Sequence, residues 1–486
     1  MKAHVLAEPE LEFRAGNRHI DPRYGVAVFG PADADAPTAP REIPVGIIGA
    51  PAAIEGARRW LQRCQTPITA KDAKPGQENL FPEFPGFSLD SPFGAQLVFD
   101  DTLLREIPDR QLRQLAKADT KSAVTEAVTL YAEAARSLAE TGRCRIIICA
   151  RPDQLNEAGS APPAHADTGL PDEADSDGDK VDIGGDFHDR LKAVGLALPC
   201  PLQLMRSETW TGTRRRTATT EGRPLQDEAT RAWNLHTALY YKAGGTPWRR
   251  PRHSTDIATC HIGISFYRTT DQTELHTAVA QVFNERGDGV VVRGGAATVD
   301  KADRQPHLSA DAARALLVDA LTTFRRTHGH PPARVVLHKT SRFSDHEQQG
   351  FYQAADEKEI DSIELLWIQR RAAPRLFRTG QLPPLRGTTL QLDDHSIVVY
   401  TRGSIEYFRT YPGMYVPQPL LIRTVGDNVE LGGAAADVLA LSKMNWNNAQ
   451  LDERDPLTLR TASRVGNILK HVPAGTPIAN RYAYYM

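Results

Sequence analysis

Apolar residues fall along the chain in short runs of five or six that alternate with longer amphipathic stretches. Residues 44–49 (Pro-Val-Gly-Ile-Ile-Gly) and, after Arg145, residues 146–150 (Ile-Ile-Ile-Cys-Ala) are continuous runs without a charged or polar side chain, the pattern of strands buried on both faces. Between them, residues 53–64 and 123–140 repeat apolar positions with helical spacing, and Ser122 stands where an N-cap belongs. Strand and helix in turn predict a layered α/β sheet. The pattern resumes with a helix over 187–194, a strand over 201–205 and a helix over 231–242, which Gly244, Gly245 and Pro247 stop. A second α/β block comes next, with strands over 261–267, 274–283 and 334–338, a helix over 310–327, an exposed strand over 396–401 and a last helical region from 433. Residues 1–42 read as short strand-like runs between turns. Residues 156–186, rich in Ala, Pro, Gly and Asp and poor in large apolar side chains, read as a flexible surface insertion.

At 486 residues the chain has room for two or three domains, and at 41 % hydrophobic residues each can bury a core. There is no apolar run of membrane-spanning length, and the N-terminus lacks a basic-then-apolar leader, so a cytoplasmic protein is expected, with no membrane partner. Five cysteines without a CxxC pair fit buried thiols in a reducing compartment and exclude a zinc ribbon. The net charge of −2 argues against a protein that coats DNA indiscriminately. It conceals an acidic stretch at 171–179 and basic clusters at Arg214-Arg215-Arg216, Arg249-Arg250 and Arg370-Arg371, which are candidate backbone contacts in a groove. No nucleophile elbow, Walker loop, HExxH or dinucleotide fingerprint occurs.

Two distant stretches carry a family resemblance. Asn234-Leu-His-Thr-Ala-Leu-Tyr-Tyr-Lys242 running into Ala-Gly-Gly-Thr-Pro-Trp248, and Leu441-Ser-Lys-Met-Asn-Trp-Asn447 with Pro456-Leu-Thr-Leu459, resemble the MID-to-PIWI junction and the distal PIWI segment of Argonaute proteins. Glu10-Leu-Glu-Phe13, Gly16-Asn17 and Phe29-Gly-Pro31 resemble the start of the short prokaryotic branch. The matches are collinear and span nearly the whole chain. The resemblance implies a two-lobed α/β protein: an N-terminal segment and Rossmann-like MID domain over 1–250, and an RNase H-like PIWI domain over 251–486, without the PAZ and N domains of long Argonautes.

His188-Asp-Arg-Leu-Lys192 resembles the family's 5′-phosphate motif, with Gln203 and Lys242 at the following positions. His188 and Lys192, four apart, share a helix face. A phosphate dianion needs donors that converge from several elements, and Lys, Gln and a helix N-terminus supply them. Asn234 is a further candidate contact, while Ala238 stands where relatives carry a second basic or amide residue. The resemblance also implies Mg²⁺ at this pocket, held by Gln203 and the terminal carboxylate of Met486.

Slicing members of the family hold two metal ions with carboxylates. In this chain Ser265 stands on the strand at the position where the first Asp is expected, Thr340 comes after the strand where the second belongs, and residues 461–464 offer no fourth ligand. A non-enzyme is therefore expected. His261 and His338 read as structural groups rather than an acid–base pair. The resemblance implies a guide-dependent subunit of a prokaryotic defence system. It would bind a short guide, expected to be RNA, recognise a complementary target, expected to be DNA, and activate an APAZ-containing effector with a sirtuin-like, TIR or nuclease domain in a heterodimer. The rival readings are an endonuclease with unconventional metal ligands and a scaffold subunit that binds no guide.

Overall fold

A computed structural model describes residues 3–73, 76–156, 183–213, 225–251, 257–270, 273–283, 289–371, 373–411, 413, 416–426, 429–473 and 475–486. The acidic stretch, all of the expected insertion except residue 156 and residues 183–186, and Arg214, Arg215 and Arg216 lie outside these residues.

The first sheet has four parallel strands in the order Gln96–Glu106, Glu42–Gly49, Ile146–Ala150, Leu202–Met205. Successive side chains of a strand point to opposite faces, so each buried strand feeds two cores. Ile47, Ile146 and Ile148 pack with helices Pro51–Arg63 and Glu228–Lys242. Ile48, Ile147 and Cys149 pack with helices Thr120–Glu140 and Ile183–Gly195 on the other face. The cap of Thr120–Glu140 differs from expectation: Asp119 accepts a hydrogen bond from the Ser122 amide, so the helix begins before Ser122.

The second sheet has nine strands, in the order Ala3–Val5, Thr388–Asp393, Ser396–Val399, Leu420–Val425, Ser362–Gln369, Arg334–Lys339, Thr259–Arg268, Leu275–Phe283, Gly289–Val292. Its centre is parallel: Arg334–Lys339 lies between Thr259–Arg268 and Ser362–Gln369. Helices Ala310–His328 and Asp345–Glu357 cover one face, and Leu431–Leu441 and Leu457–Leu469 cover the other. Ser396–Val399 is buried, not exposed, because it lies inside this sheet with Leu431–Leu441 against it. The first residues also depart from the sequence reading. Ala3–Val5 pairs with Thr388–Asp393 in the far lobe, and Pro22–Phe29 is a helix capped by Asp21.

One continuous core joins the lobes, running from Val45 and Trp233 through Trp248 and Trp446 to Leu469 and Met486. The two stretches that carry the family resemblance meet there. Trp248 Nε1 donates to the Lys443 carbonyl at 3.1 Å, Trp446 Nε1 donates to the Trp248 carbonyl at 3.0 Å, and Tyr241 stacks on Trp446. No helix of the described residues is long and apolar enough to cross a membrane.

Candidate functional site

Two helices and a strand of the first lobe and one helix of the second bring cationic side chains and a glutamine to a single place. Helix Ile183–Gly195 carries His188 and Lys192; the edge strand Leu202–Met205 carries Gln203; helix Glu228–Lys242 ends on Lys242. That helix stops at Gly244, whose φ of +97° is accessible mainly to glycine. Lys192 and Lys242 are each only 1 % exposed. The Lys192 ammonium donates to the Leu202 carbonyl at 2.6 Å, and the Lys242 ammonium donates to Gln203 Oε1 at 2.5 Å. Gln203 Nε2 donates to the Leu204 carbonyl. Both ammoniums thus meet neutral oxygens in these bonds, and each bond uses one of three N–H donors.

Burial drives the Lys192 pKa down to about 7; repulsion from Arg464 adds to the fall, while Cys149 and Asp189 oppose it. Lys242 is held well below its ordinary value by burial, then by repulsion from Lys192 and Arg464. His188 is also lowered, chiefly by burial, against a 2.9 Å contact with Asp189 that favours its charged form. Its side chain remains 37 % exposed and can face a ligand.

Arg464 joins this group without a forecast from the sequence. It lies on helix Leu457–Leu469 of the second lobe, which rides directly on strand Thr259–Arg268. Gly263 permits this approach, since a Cβ there would sit 2.1 Å from the Thr458 carbonyl. The signal in the sequence is only a polar residue in an apolar helix; its proximity to Lys192 and Lys242 depends on how the lobes pack.

Asn234 does not join the cluster. Its Oδ1 accepts from the Ala449 amide at 3.0 Å and its Nδ2 donates to Gln226, so it ties the lobes together. Eight residues along a helix place it roughly 80° around the axis from Lys242. Three of the arginines expected as backbone contacts are held in ion pairs while remaining partly exposed. Arg249 pairs with Glu12 at 2.5 Å, Arg250 with Asp437 at 2.8 Å, and Arg370 with Asp455 at 2.7 Å. Arg371 is exposed. Accordingly, Arg250→Gln is expected to lower the melting temperature while leaving the salt dependence of oligonucleotide binding unchanged, a slope read by titration between low and moderate salt.

Magnesium does not fit the described donors. Gln203 Oε1 is occupied by the Lys242 ammonium, with Lys192 and Arg464 near enough to repel a dication. Met486 is buried in the joint core, 4 % exposed. Among the described residues no group of three or more His, Cys, Asp or Glu could hold a metal ion.

The positions expected for slicer carboxylates do come together. Ile264 pairs with Lys339 across the parallel strands, so Ser265 and Thr340 come side by side at the carboxyl edge of the sheet. Neither can supply an anionic ligand. Thr461 bonds the Leu457 carbonyl of its own helix. Lys339, one residue before Thr340, is fully buried and donates to Glu347 at 2.5 Å. His338 Nδ1 lies 2.7 Å from Thr458 Oγ1, and burial pushes its pKa down to about 3. His261 lies 3.5 Å from Asp437, and burial lowers it as well. Both histidines are packed beneath helices rather than facing a cleft.

The architecture is a MID–PIWI pair: a parallel α/β lobe joined to an RNase H-like mixed sheet. The chain has the fold of the corresponding half of Argonaute proteins. It superposes on the Argonaute of Clostridium butyricum bound to a guide DNA and a 19-mer target DNA, with a TM-score of 0.64 and 12 % identity over 99 % of this chain and 54 % of that one. The Argonaute of A. aeolicus gives 0.58 and 14 % over 98 % and 54 %. The chain thus spans about half the length of either. No protein-family model and no curated protein matches it.

Proposed function

We propose that this protein holds the 5′-phosphate of a short guide strand between Lys192, Gln203 and Lys242, with His188 and Arg464 at the rim, and presents the guide to a complementary target without cutting it. One observation carries the reading: two fully buried ammoniums converge on neutral oxygens beside a third cation from the other lobe. Burying unpaired cations is costly, and a bound dianion would offset that cost. The Clostridium butyricum protein of the same fold was solved with guide and target DNA, which supports nucleic acid as the ligand class. For this chain the guide is proposed to be RNA and the target DNA. Sequence selection would come from base pairing rather than from side chains. As the sensing half of a prokaryotic defence complex in the cytoplasm, it would pass target recognition to an APAZ-containing effector partner. Protein cations rather than magnesium would hold the phosphate.

The test is to purify the protein with its genomic neighbour and sequence the nucleic acid that accompanies it. Short 5′-phosphorylated strands support the reading. No such strands, and no preference for 5′-phosphorylated over 5′-hydroxyl oligonucleotides, would leave only a scaffold.

Because Lys192 titrates near 7 in the unliganded protein, phosphate binding above that pH must take up a proton. The phosphate itself becomes a dianion above about pH 6. Affinity for a 5′-phosphorylated oligonucleotide is therefore expected to peak between these values and to fall by up to about tenfold per pH unit above 7. The sign is opposite for the stability of the unliganded protein. A lysine depressed in the fold destabilises it fully below pH 7, and the penalty fades as pH rises toward the ordinary lysine range. Titrations at pH 6, 7, 8 and 9, with a 5′-hydroxyl control, check the first statement.

With Ser265 and Thr340 in place of carboxylates, a paired target incubated with Mg²⁺ or Mn²⁺ is expected to stay intact on a denaturing gel. Product that disappears in a Ser265→Ala variant would instead favour an unconventional nuclease.

A further inference from the structure

We infer that Phe377 is a nucleobase-stacking side chain, presented by an arginine-rich loop at the sheet edge where Ser265 and Thr340 lie. The inference rests on the proposed function only in taking nucleic acid as the ligand. Phe377 is 81 % exposed, above the other exposed large apolar side chains of the described residues. A phenylalanine left in water costs stability relative to a polar residue unless something covers it.

The loop that carries it runs from strand Ser362–Gln369 to strand Thr388–Asp393 and is pinned on both sides of the aromatic residue. Ala373 and Leu376 pack on the small core of Val398, Tyr400 and Leu421. The Leu376 amide donates to Tyr400 Oη at 2.7 Å. On the return, Ser404 bonds the carbonyls of Pro383 and Pro384, and Arg386 is buried against Glu8. The tip turns at Gly380 and closes through Arg378 Nε, which donates to the Leu382 carbonyl at 3.2 Å. Phe377 therefore points outward from a braced turn, which lowers the entropy cost of a contact.

Charge and position indicate what covers it. Residues 370–386 contain five arginines and no acidic residue. Arg370 is paired with Asp455 and Arg386 is buried against Glu8, whereas Arg375 and Arg378 flank Phe377 and are exposed. A protein-docking patch requires contiguous apolar area with few charges at its centre; a lone ring between two guanidiniums suits a base on the ring and phosphates on the arginines. The register of the parallel strands sets Lys339 beside Trp367, so Thr340 and the start of the loop occupy one edge. The carboxyl edge of parallel strands is where such sheets receive ligands.

Oligonucleotides with 2-aminopurine at successive positions, single-stranded and paired, with and without a 5′-phosphate, test this in the full chain. Wild type should quench one or two adjacent positions. Phe377→Ala should abolish that quenching and weaken binding by about tenfold, and Phe377→Trp should retain both. Arg375→Gln and Arg378→Gln should each lower the salt slope by about one. If Phe377→Ala leaves every quenching profile unchanged, the inference is overturned, and more so if it changes the protein's oligomeric mass instead. Binding with no 5′-phosphate preference would remove the pocket reading while the quenching profile still decides on Phe377. Failure of wild type to bind any oligonucleotide would remove both.

Discussion

Replacing Lys192 and Lys242 together by methionine is expected to cut the affinity for a 5′-phosphorylated oligonucleotide by about 100-fold or more, and to leave affinity for the 5′-hydroxyl form within a factor of about two. Hydrogen bonds to a charged group contribute about 1.5–3 kcal/mol each, and here two ammoniums are removed from a site with little water to take their place. Methionine preserves the buried stems, so the packing around Leu202 and Gln203 is kept. The ammonium charges are costly in the unliganded protein, as the lowered pKa values of both lysines show. The double variant should therefore fold with a near wild-type melting temperature. Loss of phosphate preference with normal stability identifies a binding pocket. Loss of stability with unchanged phosphate preference would mean that the lysines serve the fold and the pocket lies elsewhere.

The second large effect concerns the fold. Glu347 is fully buried, and four groups converge on its carboxylate. Lys339 Nζ lies at 2.5 Å, His307 Nδ1 at 3.0 Å, and the amides of Leu308 and Ser344 at 3.0 and 2.8 Å. Lys339 also rests 5.3 Å from the ring centres of Phe266 and Phe343, and burial lowers its pKa to about 8. Glu347 is at the same time the third residue of helix Asp345–Glu357, reciprocally capped with Ser344. Glu347→Leu strands a buried cation and breaks the cap, so unfolding should become easier by about 3–5 kcal/mol. A urea denaturation curve with an unchanged slope and a lower midpoint measures this. Adding Lys339→Met should recover a large part, because a buried pair replaced by two apolar residues is often near neutral. Phosphate binding should track the folded fraction and no more, since the pair lies in the second lobe, between strand Arg334–Lys339 and helix Asp345–Glu357.

Much of the fold can be read from single residues. The runs around Ile47 and Ile147 are apolar on both faces, which only a strand covered by helices on both sides tolerates, and the four-stranded sheet has that form. The strand over 396–401 reads as exposed because a short run carries no trace of helix Leu431–Leu441, which lies across Ser396–Val399. Ala3–Val5 is hidden for a related reason. Its partner strand, Thr388–Asp393, is more than 380 residues away, and pairing at that distance leaves no local trace.

The candidate site divides in the same way. Lys192, Gln203 and Lys242 are legible because helix spacing and strand order decide which way each points within one lobe. That Ser265 and Thr340 carry no charge is legible as residue type. The basic clusters mislead. Arg249, Arg250 and Arg370 look like free positive charge in the sequence, yet Glu12, Asp437 and Asp455 reach them from far along the chain. Arg464 and Phe377 show the converse: an ordinary arginine comes close enough to the buried lysines to repel them, and an ordinary phenylalanine stands in solvent. By itself the sequence determined the layered α/β order, the first-lobe lysines and glutamine, and the uncharged identity of residues 265 and 340, all properties of local pattern or chemical identity. Only the tertiary structure decided which charges are neutralised and which converge, because a charge's effect depends on its neighbours in space and on how much water remains around it.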